Sequence, residues 1–290
     1  MQITDSQVHI WKKKPFGLPV PGQPARAHAR DSFTPDEVIA EMDAAGVSRA
    51  ILMPRSFDGA DNSACLAAAC ALPTRFAVMG RVLLDDPSSI GLLSSWRDAP
   101  RMLGIRLTFT RGRTRAWLAD GTADWLWPIA EAMGIPVMIH APGQAGEVGR
   151  MAARHPALQV TIDHAGISGD SDRRQIDELI GEVTDLARLS NVAVKASALP
   201  TVATDPYPFP SLYPLIKRLF DAYGPTRMFW GSDLTRLPCA YRQAVTHFTE
   251  ELDFLTSADL EWIMGRGVEA WLGWDTVSGA QARPCPRSRT

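Results

Sequence analysis

The strongest constraint on the fold is a repeat of pattern rather than of residues. Short apolar runs at 2–11, 49–54, 76–84, 102–109, 135–140, 158–164, 191–197 and 226–233 alternate with segments of helical character. An apolar run of this length bounded by turn residues reads as a buried strand, and strands that alternate with helices imply parallel βαβ units. Eight such units close most economically into a (β/α)8 TIM barrel, for which about 250 residues is typical. The 290-residue chain fits this as one domain over 1–274. The final segment, 275–290, lacks apolar periodicity and is expected to be a disordered tail. An open doubly wound sheet is the alternative, but Gln7-Val8-His9-Ile10-Trp11 stands where a phosphate-binding GxGxxG would follow the first strand.

Local signals support these elements. Thr34-Pro35-Asp36-Glu37 offers an N-cap, a proline at the first helical position and a carboxylate three residues after the cap, and Gly46 closes that helix. Asp86-Pro87 opens a third helix, and two C-terminal helices, roughly 241–254 and 258–272, are expected on the outside. The proline- and glycine-rich stretches 12–24 and 206–210 read as covering loops.

Charge and cysteine content exclude several functions. A net charge of −2 provides no field for nucleic acid or an anionic membrane surface. The four cysteines, Cys65, Cys70, Cys239 and Cys285, show no CxxC pair and read as free thiols in a reducing compartment. No apolar run reaches the roughly 18 residues of a membrane span, and no basic-then-apolar leader opens the chain. The expectation is a soluble, cytoplasmic protein acting on a small molecule, without nucleic-acid or membrane partners; the sequence leaves the oligomeric state open.

In a barrel of this kind the chemistry gathers at the C-terminal ends of the strands. Gln7 and His9 end the first run, Arg55 follows the second, and Arg81 and Arg106 lie on the third and fourth. His140 ends the fifth, Asp163 and His164 the sixth; Lys195 lies on the seventh and Asp233 ends the eighth. Taken alone, the first run fits either an edge strand with a solvated face or a barrel strand delivering Gln7 and His9 into a site, with Asp5 on the same face. Lys195 faces the interior and would neutralise Asp5 or Asp163 if it is structural. The three arginines suit an anionic substrate or internal pairs equally. Gly231 and Ser232 leave room beside Asp233. His28, His155 and His247 lie away from strand ends and are assigned no role.

These residues, in this order, resemble the amidohydrolase superfamily, and most closely its branch of sugar lactonases and 2-pyrone-4,6-dicarboxylate lactonase. Asp5-Ser-Gln-Val-His-Ile-Trp11 is similar to the D-x-H-x-H-x-W opening of that family. Matching pieces follow at 56–62, Gly104-Ile-Arg-Leu107, Ile162-Asp-His164, Val194-Lys-Ala-Ser197 and Trp230-Gly-Ser-Asp233. The resemblance implies hydrolysis of a lactone or related ester. Asp233 would be the general base and His9, His164 and Gln7 would donate to the carbonyl, with His140 beside them. Arg55, Arg81 and Arg106 would hold a substrate carboxylate, and Trp11 and Tyr207 would form an apolar cover. The chain departs from the family where Gln7 replaces the first histidine of the H-x-H pair, and glutamine is a poor zinc ligand. His9, His140 and Asp233 are the ligands left for one divalent metal, Zn or Mn. Lactonases of this branch work without metal, so no cofactor is expected to be obligatory. The alternatives are metal-dependent decarboxylation of an aromatic acid, and a barrel that has lost catalysis and only binds a small molecule.

Overall fold

The computed structural model describes residues 1–12, 30–56, 58–169 and 171–274. The eight apolar runs form β1 (Thr4–Val8), β2 (Arg49–Leu52), β3 (Phe76–Gly80), β4 (Met102–Thr108), β5 (Val137–His140), β6 (Val160–Ile162), β7 (Val192–Ser197) and β8 (Met228–Gly231). They lie in sequence order, each pairing in parallel with the next. At the seam, the Asp233 amide on the β8 side donates to the Gln7 carbonyl on β1 at 3.0 Å. The expected (β/α)8 barrel is therefore the observed fold. Every residue of β1 is buried, which decides for the barrel strand over the solvated edge.

The strands are shorter than the apolar runs because the last residues of several runs leave the ladder to form the rim. Around them lie α1 (Pro35–Ala45), α2 (Ser63–Ala71), α3 (Ser89–Leu93), α4 (Leu126–Ala132), α5 (Ala145–Arg154), α6 (Arg173–Asp185), α7 (Tyr213–Tyr223) and α8 (Tyr241–Thr249). The capping box of α1 forms as its sequence dictates. The Glu37 amide donates to Thr34 Oγ1 at 3.3 Å and the Thr34 amide to Glu37 Oε2 at 2.7 Å, while Gly46 takes φ 79° at the other end. Asp172 and Gln175 make the same reciprocal pair at the start of α6. There Ile176, Ile180 and Val183, at helical spacing, turn into the core.

Four expectations need correction. Asp5 does not share a face with Gln7 and His9: the pairing of β1 with β2 shifts register between Asp5 and Val8, which breaks the period of two. Its carboxylate is consumed at the β1–β8 seam, accepting from the Gln7 amide at 2.9 Å, the Ser232 amide at 2.9 Å, the Ser232 hydroxyl and the Tyr241 hydroxyl at 2.6 Å. The second expected C-terminal helix forms without a break over 257–272, but it does not stay on the outside. Beyond α8 come α9 (Ser257–Glu261), a π-helical turn (Trp262–Arg266) and α10 (Gly267–Leu272). Val268, Leu272 and Trp274 pack with Ile51, Met79, Leu103, Met138 and Phe229, so α10 plugs the N-terminal end of the barrel. Its Glu269 bonds to Thr4 Oγ1 and Gln2 Nε2 and pairs with Arg49 at 3.2 Å. Cys65 and Cys239 are free thiols, but Cys70 is disulfide-bonded. The absence of a CxxC pair does not exclude a disulfide, so the reading of all four as free fails at Cys70. Finally, Tyr207 is not part of a cover, as described below.

Among the described residues no helix is long and apolar enough to cross a membrane. Most of the expected covering loop at 12–24, together with His28 and the tail at 275–290, lies outside the described residues.

Candidate active site

The rim is built where β6, β7 and β8 break. His164, Ala198 and Asp233 adopt left-handed backbone with φ of 53°, 57° and 50°, none of them glycine. Such residues cost of order 1–3 kcal/mol each and persist where the surroundings fix them. Here the turns bring His164, Ser197 and Asp233 round one hollow with His140, Arg236 and Thr201. Its volume is about 20 Å³, the scale of a single water.

Asp233 is at the centre. His9 Nε2 lies 3.5 Å from its Oδ1, and His164 Nε2 and Arg236 Nε each lie 3.7 Å from its Oδ2. Its buried Oδ1 accepts no hydrogen bond, and His140 Nε2 is likewise buried without a partner. His140 meets His164 edge-on, with ring centroids 4.8 Å apart.

All three imidazoles are neutral. Burial, reinforced by the Arg106 charge, pushes His9 and His140 down to about 3, and burial beside His140 takes His164 well below its ordinary value. Their tautomers follow from their partners. His9 Nδ1 lies 2.7 Å from the Met53 carbonyl, which can only accept, so the proton is on Nδ1 and Nε2 presents a lone pair. His164 Nδ1 lies 2.9 Å from the Ser197 hydroxyl. With a carboxylate before Nε2, the favourable arrangement has Nε2–H facing Asp233 and the hydroxyl donating to Nδ1.

Below this layer is a buried cation network. Lys195 Nζ lies 2.9 Å from Asp163 Oδ1 and donates to Gln7 Oε1, and Arg106 Nε donates to Asp163 Oδ2 at 3.0 Å. Lys195 thus takes Asp163 rather than Asp5 as its partner. Burial alone would raise the Asp163 carboxyl, but Lys195 and Arg106 outweigh it and hold the group below its usual range. The Lys195 ammonium is itself lowered by burial, against the attraction of Asp163.

The structure brings Gln7, His9, His140, His164 and Asp233 together and places the expected anchors elsewhere. Arg55 is gripped by Asp58 at 2.9 and 2.7 Å and stacks 4.8 Å over Trp11. Both line a separate hollow of about 930 Å³ beside α1 and α2. Arg81 donates to the Gly59 carbonyl and to Thr108 Oγ1, and Arg106 is taken by Asp163 and Thr108. Burial and the nearby Arg106 charge lower Arg81 to about 9. Tyr207 ties its hydroxyl to Thr246 and Glu251, both at 2.9 Å, on the side of α8. Arg236 is the guanidinium that does line the Asp233 hollow, and the sequence reading missed it. Its only signal was its place three residues after Asp233, inside the short turn Leu234–Arg236.

Amidohydrolases commonly hold a divalent metal at the equivalent rim. Here the remaining donors do not make such a centre. Among the described residues no three of His, Cys, Asp and Glu converge as ligands. The Gln7 oxygen that replaces the first imidazole is already bonded to an ammonium, and a fixed cation beside a ligand set opposes a second one.

The chain belongs to the amidohydrolase family, whose model matches residues 4–273. It is an enzyme of that family. An L-fucono-1,5-lactonase from Burkholderia ambifaria is 26% identical over 244 residues, covering 79% of each chain. An amidohydrolase from Burkholderia multivorans solved with bound HEPES superposes with a TM-score of 0.79 at 21% identity, covering 94% of this chain and 99% of its own; a second crystal form of it carries bound zinc. A probable 2-pyrone-4,6-dicarboxylic acid hydrolase from Acinetobacter baumannii, with citric acid bound, gives 0.70 at 17% identity, covering 94% and 100%. At these identities the solved structures speak for the fold.

Proposed function

We propose that this chain opens a lactone ring by hydrolysis, with the sugar 1,5-lactones as the first class to test. The observation that carries this reading is the buried, unpartnered Oδ1 of Asp233 facing neutral imidazoles. A carboxylate so placed can hold a water and take its proton as the oxygen attacks the ring carbonyl. The N–H groups of His164 Nε2 and Gln7 Nε2 then meet the developing oxyanion. The tautomer of His9 leaves its Nε2 an acceptor, so the donor role first considered for it passes to these two. As the tetrahedral intermediate collapses, the carbon–oxygen bond of the ring breaks and protonated Asp233 returns its proton to the departing ring oxygen, giving the hydroxy acid. No step requires a metal, in line with the donor set above.

The test is proton release from a panel of 1,5- and 1,4-aldonolactones, run before and after exhaustive dialysis against a chelator. The reading expects turnover of at least one lactone, unchanged by chelation. Loss of turnover that returns with zinc or manganese would contradict the metal-free assignment. Carbon dioxide release from aromatic acids without lactone opening would replace the reaction altogether.

A further inference from the structure

We propose that Lys195 fixes the orientation of the Gln7 amide and supplies the positive charge behind it, so that Gln7 presents a strengthened N–H to the carbonyl it binds. This rests on the hydrolytic reading above but is tested apart from it. The orientation follows from two independent constraints. An ammonium donates and never accepts, so the Gln7 atom facing Lys195 Nζ must be the oxygen. On the other side, Gln7 Nε2 lies 3.3 Å from His9 Nε2, which bears a lone pair because Nδ1–H is spent on Met53, so the atom facing His9 must be the nitrogen. One amide proton goes to His9, and none of the described hydrogen bonds uses the other.

Lys195 is built for this task. Its three N–H groups face Gln7 Oε1, Asp163 Oδ1 and Met138 Sδ, the last at 3.7 Å, and none of these acceptors can donate in return. Asp163 already has a counter-charge in Arg106 at 3.0 Å. The second cation is therefore in excess of what Asp163 requires, and it is aimed at the amide oxygen. A charge-assisted hydrogen bond to that oxygen draws density from the amide nitrogen and makes its protons better donors. Gln7 and Lys195 are both fully buried and neither lines the hollow, but the Lys195 N–H groups are taken up by Gln7, Asp163 and Met138, so it is a positioning residue acting through Gln7.

The test is a double-mutant cycle read by calorimetric binding of 2-piperidone, the unreactive lactam counterpart of a δ-lactone, to native protein, Gln7→Met, Lys195→Met and the double variant. Each single variant is expected to bind about tenfold more weakly, and the double variant no more weakly than Gln7→Met alone. Additive losses, undiminished binding by Lys195→Met, or no binding by the native protein would overturn the proposal. Should Lys195→Met fail to fold, Gln7→Glu keeps the partner of Lys195 while removing the N–H. Its Tm is expected at or above native with about tenfold weaker lactam binding, and unchanged binding would overturn the proposal. The lactam is not consumed, so failure to turn over any lactone would sink the hydrolytic reading and leave this result standing.

Discussion

The lower and upper layers of the barrel interior are made from the same strands and differ in kind. On β5 the inward residue is Met138 in the lower layer and His140 two positions on; on β7 Ala193 gives way to Lys195 and Ser197. On β8 Phe229 lies below, and Asp233 ends the chain's climb to the rim. The lower layer, sealed by α10, is apolar apart from the Thr161 hydroxyl beside Met138 and Ala193 and carries no charge. The upper layer buries a lysine, an arginine, two aspartates and three histidines. Buried charge is tolerated only when it is matched, and Asp163 between Lys195 and Arg106 supplies the match. The comparison divides the labour: the lower layer holds the fold, and the upper layer is arranged for chemistry on a frame that the lower layer keeps rigid.

Breaking the match should have the largest effect. Asp163→Ala leaves two buried cations without a counter-charge and is expected to cost about 3–5 kcal/mol in urea unfolding, with turnover lost as well. Phe229→Ala, in the lower layer, is expected to cost about 3–4 kcal/mol through the cavity it leaves, while kcat of the folded protein stays within about twofold of native. If both variants lose activity in proportion to stability, the division of labour is wrong. Outside both layers, Thr34→Ala removes the cap of α1 and should cost about 1 kcal/mol with kinetics unchanged.

The layers also differ towards acid. His9 and His140 are depressed to about 3, so the folded protein keeps them neutral where the unfolded chain, near 6.5, takes up protons. Their contribution to stability is fully present above about pH 6.5 and is lost as pH falls towards about 3. Tm should therefore fall steadily from pH 7 to pH 4, with one proton taken up on unfolding per buried imidazole. A Tm independent of pH over that range would mean that these rings are not buried neutral. His247, sealed by Phe209, Tyr213 and Phe248 and lowered to about 4 by burial, adds to the same slope from outside the barrel.

Much of this was legible in the sequence. The alternation of strands and helices gave the barrel, because period and turn chemistry are local. The strand-end rule picked out Gln7, His9, His140, His164 and Asp233, because a parallel barrel delivers those ends to one rim. What escaped depends on three-dimensional detail. No glycine announces the left-handed turns at His164, Ala198 and Asp233, so the entry of Arg236 into the hollow could not be seen. The register shift in β1 turned Asp5 away from its expected face. Arg55, Arg81 and Arg106 look alike in sequence, and only their partners show that each is already engaged within the protein.

The most direct measurement is kcat/KM of Asp233→Asn on the best lactone of the panel, with Tm recorded on the same sample. The swap keeps shape and burial but removes the proton acceptor. The account predicts a loss of at least about 1,000-fold with Tm essentially unchanged. A folded Asp233→Asn protein that still opens the lactone at a native rate would contradict it.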